Sequence, residues 1–259
     1  MSLIDPWTLT DNPELLEQVE RASTRYVAYA VNNMLDLARE QFASLSAPAP
    51  GTSTSDAANY LGEDLTRMAL DQIGTSRVPG GRLFGAIDYK AAVLQFLPEF
   101  AIEQALFVDS KAEKGSYNNC RVQITQTSMI VRQTVAGIDI AVPGLVDPVW
   151  VAGGHVYLTS TLFVKYHYGV AGLRSVTVAA LPHAFVQDKY NPNAQDGIWN
   201  VGPNAPTLGE SFRTRLNFSK LEAKAPWRVQ RMTPGQRGCC RSSNPSASVN
   251  AMPGCTRRV

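Results

Sequence analysis

The sequence predicts an α/β protein in which a β-sheet is covered by helices. The N-terminal part repeats apolar residues at helical spacing, whereas short apolar runs bounded by Gly, Pro or polar residues begin at residue 83. These runs are apolar on both faces, as is typical of the centre of a covered sheet. With 259 residues, of which 44% are hydrophobic, the chain is long enough for one substantial core.

Two helices are predicted before the sheet. Asn12-Pro13 is typical of an N-cap followed by proline in the first helical position, and apolar residues recur at spacings of three and four over residues 16–37. Residues 44–56 have the Ser, Pro, Gly and Thr composition of an exposed linker. Asp56 is expected to cap a second helix that follows this linker.

Four apolar runs are predicted to be strands: LFGAIDYK, ALFVDSKA, TSTLFVKYHY and RSVTVAALP. The polar stretch between the second and third runs, residues 117–135, could form a helix. Later, GESFRTRLNF alternates strictly, which predicts a half-exposed strand. Ser219 and Glu222 then have capping-box spacing, so we expect a short helix through Ala225.

We expect one domain over residues 1–232. It would comprise an N-terminal helical part (1–45), a linker-like loop (46–56) and a core (57–232), followed by an irregular basic tail (233–259). No apolar run is long enough for a membrane helix and the N-terminus does not resemble a signal peptide, so a soluble, cytoplasmic protein without membrane contact is expected.

The charge of the chain is unevenly distributed. The net charge is only +2, yet residues 200–259 contain ten Lys or Arg against Glu210 and Glu222. Such asymmetry is typical of a chain in which one region faces phosphates and another holds carboxylates. A soluble surface with a basic tail explains it equally well.

Cysteine and histidine suggest no metal site. Three of the four cysteines, Cys239, Cys240 and Cys255, lie near the C-terminus without a histidine at zinc-binding spacing. Cys120 stands alone in a polar stretch, so it is not predicted to be a nucleophile. We expect His183 to be a hydrogen-bonded structural histidine.

Two strand ends bear the candidate catalytic residues. Asp88 ends one predicted strand, and Asp109-Ser-Lys111 ends the next. Asp109 and Lys111 should leave the same face, about 7 Å apart at the backbone. Phosphodiester hydrolysis needs a hard cation, and Mg²⁺ is held by one or two carboxylates. Asp88 and Asp109 fit that role, and Lys111 fits the orientation of an attacking water, although strand-end charges reaching solvent would show the same pattern.

A co-linear series of segments resembles the SfiI-like type II restriction endonucleases of the PD-(D/E)XK nuclease superfamily. The series comprises LFGAIDYK, ALFVDSKA, TSTLFVKYHY, LRSVTVAALPHAF, DKYNPN, GESFRTRLNF and APWRVQRM, over roughly residues 60–232. The resemblance implies a central mixed β-sheet flanked by helices and Mg²⁺-dependent cleavage of both strands of duplex DNA. It also implies a GC-rich, interrupted palindromic site and products with 5′-phosphate and 3′-hydroxyl ends.

The resemblance implies roles for individual residues. Asp88, Asp109 and Lys111 match the catalytic residues of the family, and Glu63 lies where relatives have an acidic pair on a helix. The candidates for DNA contact are Arg213, Arg215, Asn119, Gln123, Gln126 and Lys90. Arg213 and Arg215 share one strand face, and arginine is the usual bidentate partner of guanine.

The pattern departs from the family at two places. Pro203 and Asn204 stand where a base-contacting lysine is expected, and Asn119 stands where the relatives have arginine, so the target sequence is open. Two other functions stay open as well: a catalytically inactive DNA-binding protein of nuclease ancestry, and a nuclease specific for DNA structure. A palindromic site favours a homodimer. The resemblance also assigns catalysis and DNA recognition to the core over residues 57–232, and it implies a homotetramer and, in a prokaryotic cytoplasm, a cognate DNA methyltransferase of a restriction-modification system.

Overall fold

The computed structural model describes residues 2–45, 53–77, 92–115, 118–201 and 213–235, with backbone only at 76, 77, 201 and 213. Within these residues the α-helices are α1 (Pro13–Asn33), α2 (Leu35–Ser44), α3 (Thr54–Leu70), α4 (Gln187–Tyr190) and α5 (Phe218–Lys224).

The strands follow the helices α1 to α3 in the chain, with α4 and α5 between later strands. They are β1 (Ser76–Arg77), β2 (Ala92–Leu97), β3 (Ile102–Glu113), β4 (Asn119–Gln123), β5 (Val131–Val135), β6 (Ile138–Val142), β7 (Val149–Ala152), β8 (His155–Gly169), β9 (Gly172–Ala180), β10 (Trp199–Val201), β11 (Arg213–Asn217) and β12 (Val229–Met232).

The central sheet is mixed. Its strand order is β1-β2-β3-β8-β9-β12, and β7 also pairs with β8. The pairing of β3 with β8 is parallel, and the other pairings in this sheet are antiparallel. A second, three-stranded sheet has the order β10-β11-β4, and β5 and β6 form a hairpin.

The two faces of the central sheet have different partners. Val164 and Tyr166 of β8 pack in a hydrophobic cluster with residues of α1, α2 and α3. Phe163 lies on the opposite face, in a cluster that includes Cys120 of β4 and Leu216 of β11. Because side chains alternate along a strand, odd-numbered residues of β8 in this region point towards the three-stranded sheet. The sequence-predicted α/β architecture is confirmed.

Helix starts are set by side-chain caps, and two of the three predicted caps are wrong. Asn12 caps α1 as predicted, since its side chain accepts a hydrogen bond from the Leu15 amide at 3.1 Å. Ser53, not Asp56, caps α3 by accepting from the Asp56 amide. Asn217, not Ser219, caps α5. In both corrections a cap-forming side chain occurs two or three residues earlier, where the backbone is still extended.

The predicted helix over residues 117–135 is also wrong. Its described part forms β4, a short 3-10 helix (Ile124–Gln126) and β5. Cys120, Val122 and Ile124 are buried, so the apolar residues follow the two-residue period of a strand. Pairing of β4 with β11 satisfies its backbone, which a local pattern of polar residues does not reveal.

Several other predictions fall partly outside the described residues. The strand LFGAIDYK, with Asp88 and Lys90, lies outside them, and so do positions 46–52 of the predicted linker, Pro203, Asn204 and residues 236–259 of the tail. The division of the chain into one domain and a tail stays a prediction. No helix among the described residues is long and apolar enough to cross a membrane.

A buried ion pair joins α1 to the start of β12. Arg228 is fully buried, and its guanidinium donates to the carboxylate of Glu20, which is also buried. The other oxygen of Glu20 accepts the backbone amide of His183 at 3.0 Å. Glu17 lies 3.6 Å from the same guanidinium. Removal of one partner from such a pair leaves a charge in an apolar interior.

We expect Glu20→Gln to lower the free energy of unfolding by about 3–5 kcal/mol, because Arg228 would lose its nearest counter-charge. Urea denaturation followed by circular dichroism measures the change. The matched control is Glu222→Gln, which breaks the exposed pair with Arg231 (2.6 Å) and should cost about 1 kcal/mol or less. Equal losses in the two variants would contradict the expected role of burial.

Candidate active site

Asp109 and Lys111 form an ion pair on β3. They leave the same face of the strand, and Lys111 Nζ lies 2.6 Å from Asp109 Oδ2. The two side chains are only 22% and 23% exposed. This face is the one covered in part by the three-stranded sheet, since Phe163 is the register partner of Asp109. The two side chains therefore share one face of the strand, as predicted.

The Asp109 carboxylate lies in an unfavourable place for a negative charge. Burial raises its pKa above the usual value, and the charge of Glu63 raises it further, while Lys111 and a hydrogen bond from Gln126 lower it in part. Oδ2 is buried, and it is paired with Lys111 Nζ at 2.6 Å.

Gln126 holds the other side of this carboxylate. Its Oε1 accepts a hydrogen bond from the backbone amide of Gln123 at 3.0 Å. Because the oxygen is used there, the amide nitrogen is the group that can donate to Asp109. Gln126 is buried, so the structure favours a role in positioning Asp109 over contact with DNA. Gln123 is partly buried beside it.

Helix α3 lies against the opposite face of β3. Gly62 packs so closely that an added Cβ would lie 3.0 Å from Ser110 Oγ and 3.1 Å from the Tyr166 ring. Thr66 Oγ1 also contacts the Tyr166 hydroxyl at 3.1 Å. Glu63 follows Gly62 on this helix, and its charge reaches Asp109. Within the described ranges no group of three His, Cys, Asp or Glu could hold a metal ion, but Asp88 lies outside those ranges.

A second charged cluster lies further along β3, next to Lys111. Lys165 of β8 is the register partner of Lys111 and is buried. Its Nζ donates to Glu113 Oε2 at 2.7 Å and to the backbone carbonyl of Asn119. The same Glu113 oxygen accepts from Arg215 Nη2 at 3.2 Å. Arg215 Nε donates to Asn119 Oδ1 at 2.6 Å.

The structure thus places the side chains of Arg215 on β11 and Asn119 on β4 side by side. The backbone of Arg213 pairs with Gln123, and its side chain lies outside the described atoms. Sequence reasoning missed Lys165 and Glu113. A lysine in the middle of the apolar run TSTLFVKYHY is the signal that could have indicated them, because a charge in a central strand needs a partner.

Other candidate groups have structural roles. Burial raises the pKa of Cys120 to about 12, which disfavours the thiolate. His183 is buried, with Nε2 at 2.9 Å from the Pro148 carbonyl and Nδ1 accepting from the Phe185 amide. The prediction of a structural histidine is confirmed. Burial lowers the pKa of this imidazole, which favours the neutral ring.

The mixed sheet, the helices on one face and the Asp-x-Lys pair on the strand parallel to β8 define a restriction-endonuclease-like fold. The family model of the type II restriction enzyme SfiI matches residues 51–232, and the chain belongs to this family. It is therefore a type II restriction endonuclease, a site-specific deoxyribonuclease.

Individual relatives agree with this assignment. The chain is similar to the type II restriction enzyme SfiI of Streptomyces fimbriatus, with 29% identity and 84% of each chain covered. It is similar to the structure of tetrameric SfiI bound to cognate DNA, with a TM-score of 0.71, 25% identity and 84% of each chain covered. The fold also resembles restriction endonuclease BglI bound to its recognition sequence, with a TM-score of 0.68, 16% identity, and 89% and 95% of the two chains covered.

We expect Asp109→Asn to stabilise the protein in EDTA at neutral pH. The pKa of Asp109 is raised in the folded chain, so its ionised form penalises folding at neutral pH, even with Lys111 beside it. The penalty is absent below the unfolded-state pKa of about 3.9, so the stability of the two proteins should converge as the pH falls towards that value. Urea midpoints measured between neutral pH and pH 4 test this.

The matched control is Asp188→Asn, because Asp188 is 90% exposed and lies in a surface pair with Arg132. It should leave the midpoint nearly unchanged at every pH. A lower midpoint for Asp109→Asn than for the unsubstituted protein would show that the ion pair with Lys111 outweighs the burial of the carboxylate.

Proposed function

We propose that this chain hydrolyses both strands of duplex DNA at a specific site, with Asp109, Lys111 and Asp88 as its catalytic residues. The observation that supports this most strongly is the Asp109–Lys111 pair on β3, in which a partly buried carboxylate and an ammonium leave one face of the strand and lie 2.6 Å apart. Because Mg²⁺ is held by one or two carboxylates, Asp109 is the group of this pair that can bind it.

Mg²⁺ is the proposed metal, and Asp109 with Asp88 would hold it. The donor set fits, because Mg²⁺ prefers carboxylate oxygens and is usually held by one or two of them. Asp88 precedes Ala92 by four residues, a length of chain that spans at most about 14 Å, and Ala92 is the register partner of Phe107 on β3. This connection is short enough for Asp88 to share a metal site with Asp109, as the proposal requires. When bound, Mg²⁺ supplies a water of lowered pKa and neutralises charge on the scissile phosphate.

The protein's own groups would position the reactants. Lys111 Nζ, now 2.6 Å from Asp109, is placed to orient the attacking water and to stabilise negative charge on the phosphate. Gln126 fixes the rotation of the Asp109 carboxylate. The charge of Glu63 raises the pKa of Asp109, and we propose Glu63 as an auxiliary acid at the metal site.

DNA would bind on the side of the three-stranded sheet. Arg213 and Arg215 are proposed to read guanine edges in the major groove, because arginine is the usual bidentate partner of guanine, and Lys90 and Gln123 are proposed backbone contacts. We further propose an interrupted, GC-rich palindromic site, products with 5′-phosphate and 3′-hydroxyl ends, and a cognate methyltransferase that protects host DNA.

We expect Asp109→Asn to lower the rate of plasmid cleavage in Mg²⁺ by more than about 100-fold, above the loss caused by removing a group that only orients a ligand. DNA binding measured in Ca²⁺ should persist, because the substitution removes a negative charge that faces phosphate. Run-off sequencing of plasmid cut by the unsubstituted protein reports the site and the stagger.

Asp188→Asn serves as the control for the removal of a carboxylate far from the site, and it should cut at the unsubstituted rate. Cleavage at the normal rate by Asp109→Asn would overturn the assignment of the site. The pattern of digestion separates the functions: discrete bands support sequence specificity, a smear indicates a nuclease specific for structure, and DNA binding without cleavage indicates an inactive relative.

We also propose a homo-oligomer, since a palindrome presents two equivalent half-sites and the SfiI structure is described as tetrameric. Light scattering coupled to size exclusion should give two or four times the 28.2 kDa chain mass. A monomer both alone and with a duplex that contains the mapped site would contradict this proposal.

A further inference from the structure

The guanidinium of Arg215 is held along one of its edges by two acceptors. Nε donates to Asn119 Oδ1 at 2.6 Å, and Nη2 donates to Glu113 Oε2 at 3.2 Å. These two nitrogens form the side edge of the planar fork. Within the described residues, Nη1 has no hydrogen-bond partner, so the end edge formed by Nη1 and Nη2 is the one left to bind a ligand.

Glu113 is itself fixed by a buried lysine. Lys165 Nζ lies 2.7 Å from Glu113 Oε2, and it donates as well to the Asn119 backbone carbonyl. The lysine side chain is only 1% exposed, so this ammonium needs its counter-charge and cannot easily exchange it for water. The carboxylate that holds Arg215 is therefore rigid.

The geometry of the remaining edge suits one kind of ligand. A guanine presents O6 and N7 as two parallel acceptors in the major groove, and the end edge of an arginine provides two parallel donors. A mobile arginine side chain loses conformational entropy when it binds a base, and a side chain that is already fixed in place loses less.

We propose that Glu113, Lys165 and Asn119 are positioning residues that fix Arg215 for the recognition of one guanine. This inference rests on the proposed function, because it requires that the protein reads duplex DNA. Asn119 thereby acts on DNA through Arg215 rather than by direct contact. The specificity at one base pair depends on a carboxylate that never touches the base.

The same cluster connects Arg215 to β3, the strand that contains Asp109 and Lys111. Glu113 follows Lys111 by two residues on β3, and Lys165 is the register partner of Lys111 on β8. Two of the groups that hold Arg215 therefore lie on the same strand pair as Lys111. The link is short and consists of charged hydrogen bonds between rigid strands.

The test compares base discrimination among variants. After run-off sequencing has mapped the site, cleavage rates are measured on the mapped duplex and on duplexes with one base pair changed in both half-sites. Arg215→Lys first identifies the pair that Arg215 reads, because lysine lacks the planar fork. Glu113→Gln and Asn119→Ala should then lose discrimination at that same pair, by roughly 5- to 150-fold, which corresponds to one lost bidentate contact.

Discrimination at the other base pairs should stay as in the unsubstituted protein, which a general loss of structure would not allow. Glu222→Gln is the matched control, since it removes a surface Glu–Arg pair outside the cluster, and it should keep the full pattern. Asn119→Ala leaves Lys165 paired with Glu113, so it remains informative if thermal melts show that Glu113→Gln does not fold.

Three outcomes would overturn the inference: unchanged discrimination in both Glu113→Gln and Asn119→Ala, equal losses at all base pairs, or no affected pair in Arg215→Lys. These failures are distinguishable from failure of the proposed function. If the unsubstituted protein makes no site-specific breaks, the function fails and the inference with it. If it cuts a defined site while the variants discriminate normally, only the inference fails.

Discussion

The parallel pairing of β3 with β8 is the constraint on which the site depends. Its register puts Lys111 directly beside Lys165 on one face of the sheet. Two lysines in that arrangement repel each other, and each needs its own counter-charge. Strand β3 supplies both, because Asp109 and Glu113 lie two residues before and after Lys111 on the same face. Asp109 pairs with Lys111, and Glu113 pairs with Lys165. The two acids of β3 therefore provide a counter-charge for one lysine on β3 and one on β8.

This division of charges also joins the central sheet to the smaller one. Glu113 accepts from Lys165 below and from Arg215 of β11 above, while Asn119 of β4 contacts both cations. The small sheet is thus attached to β3 and β8 by charged hydrogen bonds beside its apolar contacts with Phe163. Charged hydrogen bonds demand a fixed geometry, which an apolar contact alone does not. The position of β11 relative to β3 is therefore fixed more tightly than apolar contacts alone would fix it.

Much of this fold is predictable from local sequence, and the parts that are not depend on pairing between distant residues. Apolar periodicity predicts the strands that contain Asp109 and Lys165, and the two-residue spacing of Asp109 and Lys111 predicts their common face. The mistaken helix over 117–135 has a different cause. Strand β4 is a strand because Arg215 and its neighbours on β11, far along the chain, pair with it. While that stretch is expected to be a helix, Gln126 is a candidate for DNA contact, whereas the structure buries it beside Asp109.

Asp109 and Arg215 are held in different ways, and the difference matches the roles proposed for them. Burial raises the pKa of the Asp109 carboxyl even with Lys111 beside it, and a bound cation would stabilise its ionised form. Arg215 has one edge fully engaged before any ligand arrives. In the proposed function Asp109 binds a cation. A carboxylate in a partly buried site attracts a cation more strongly than one in water does. A base-reading group must instead be fixed in advance, because its selectivity comes from being unable to adapt to the wrong base.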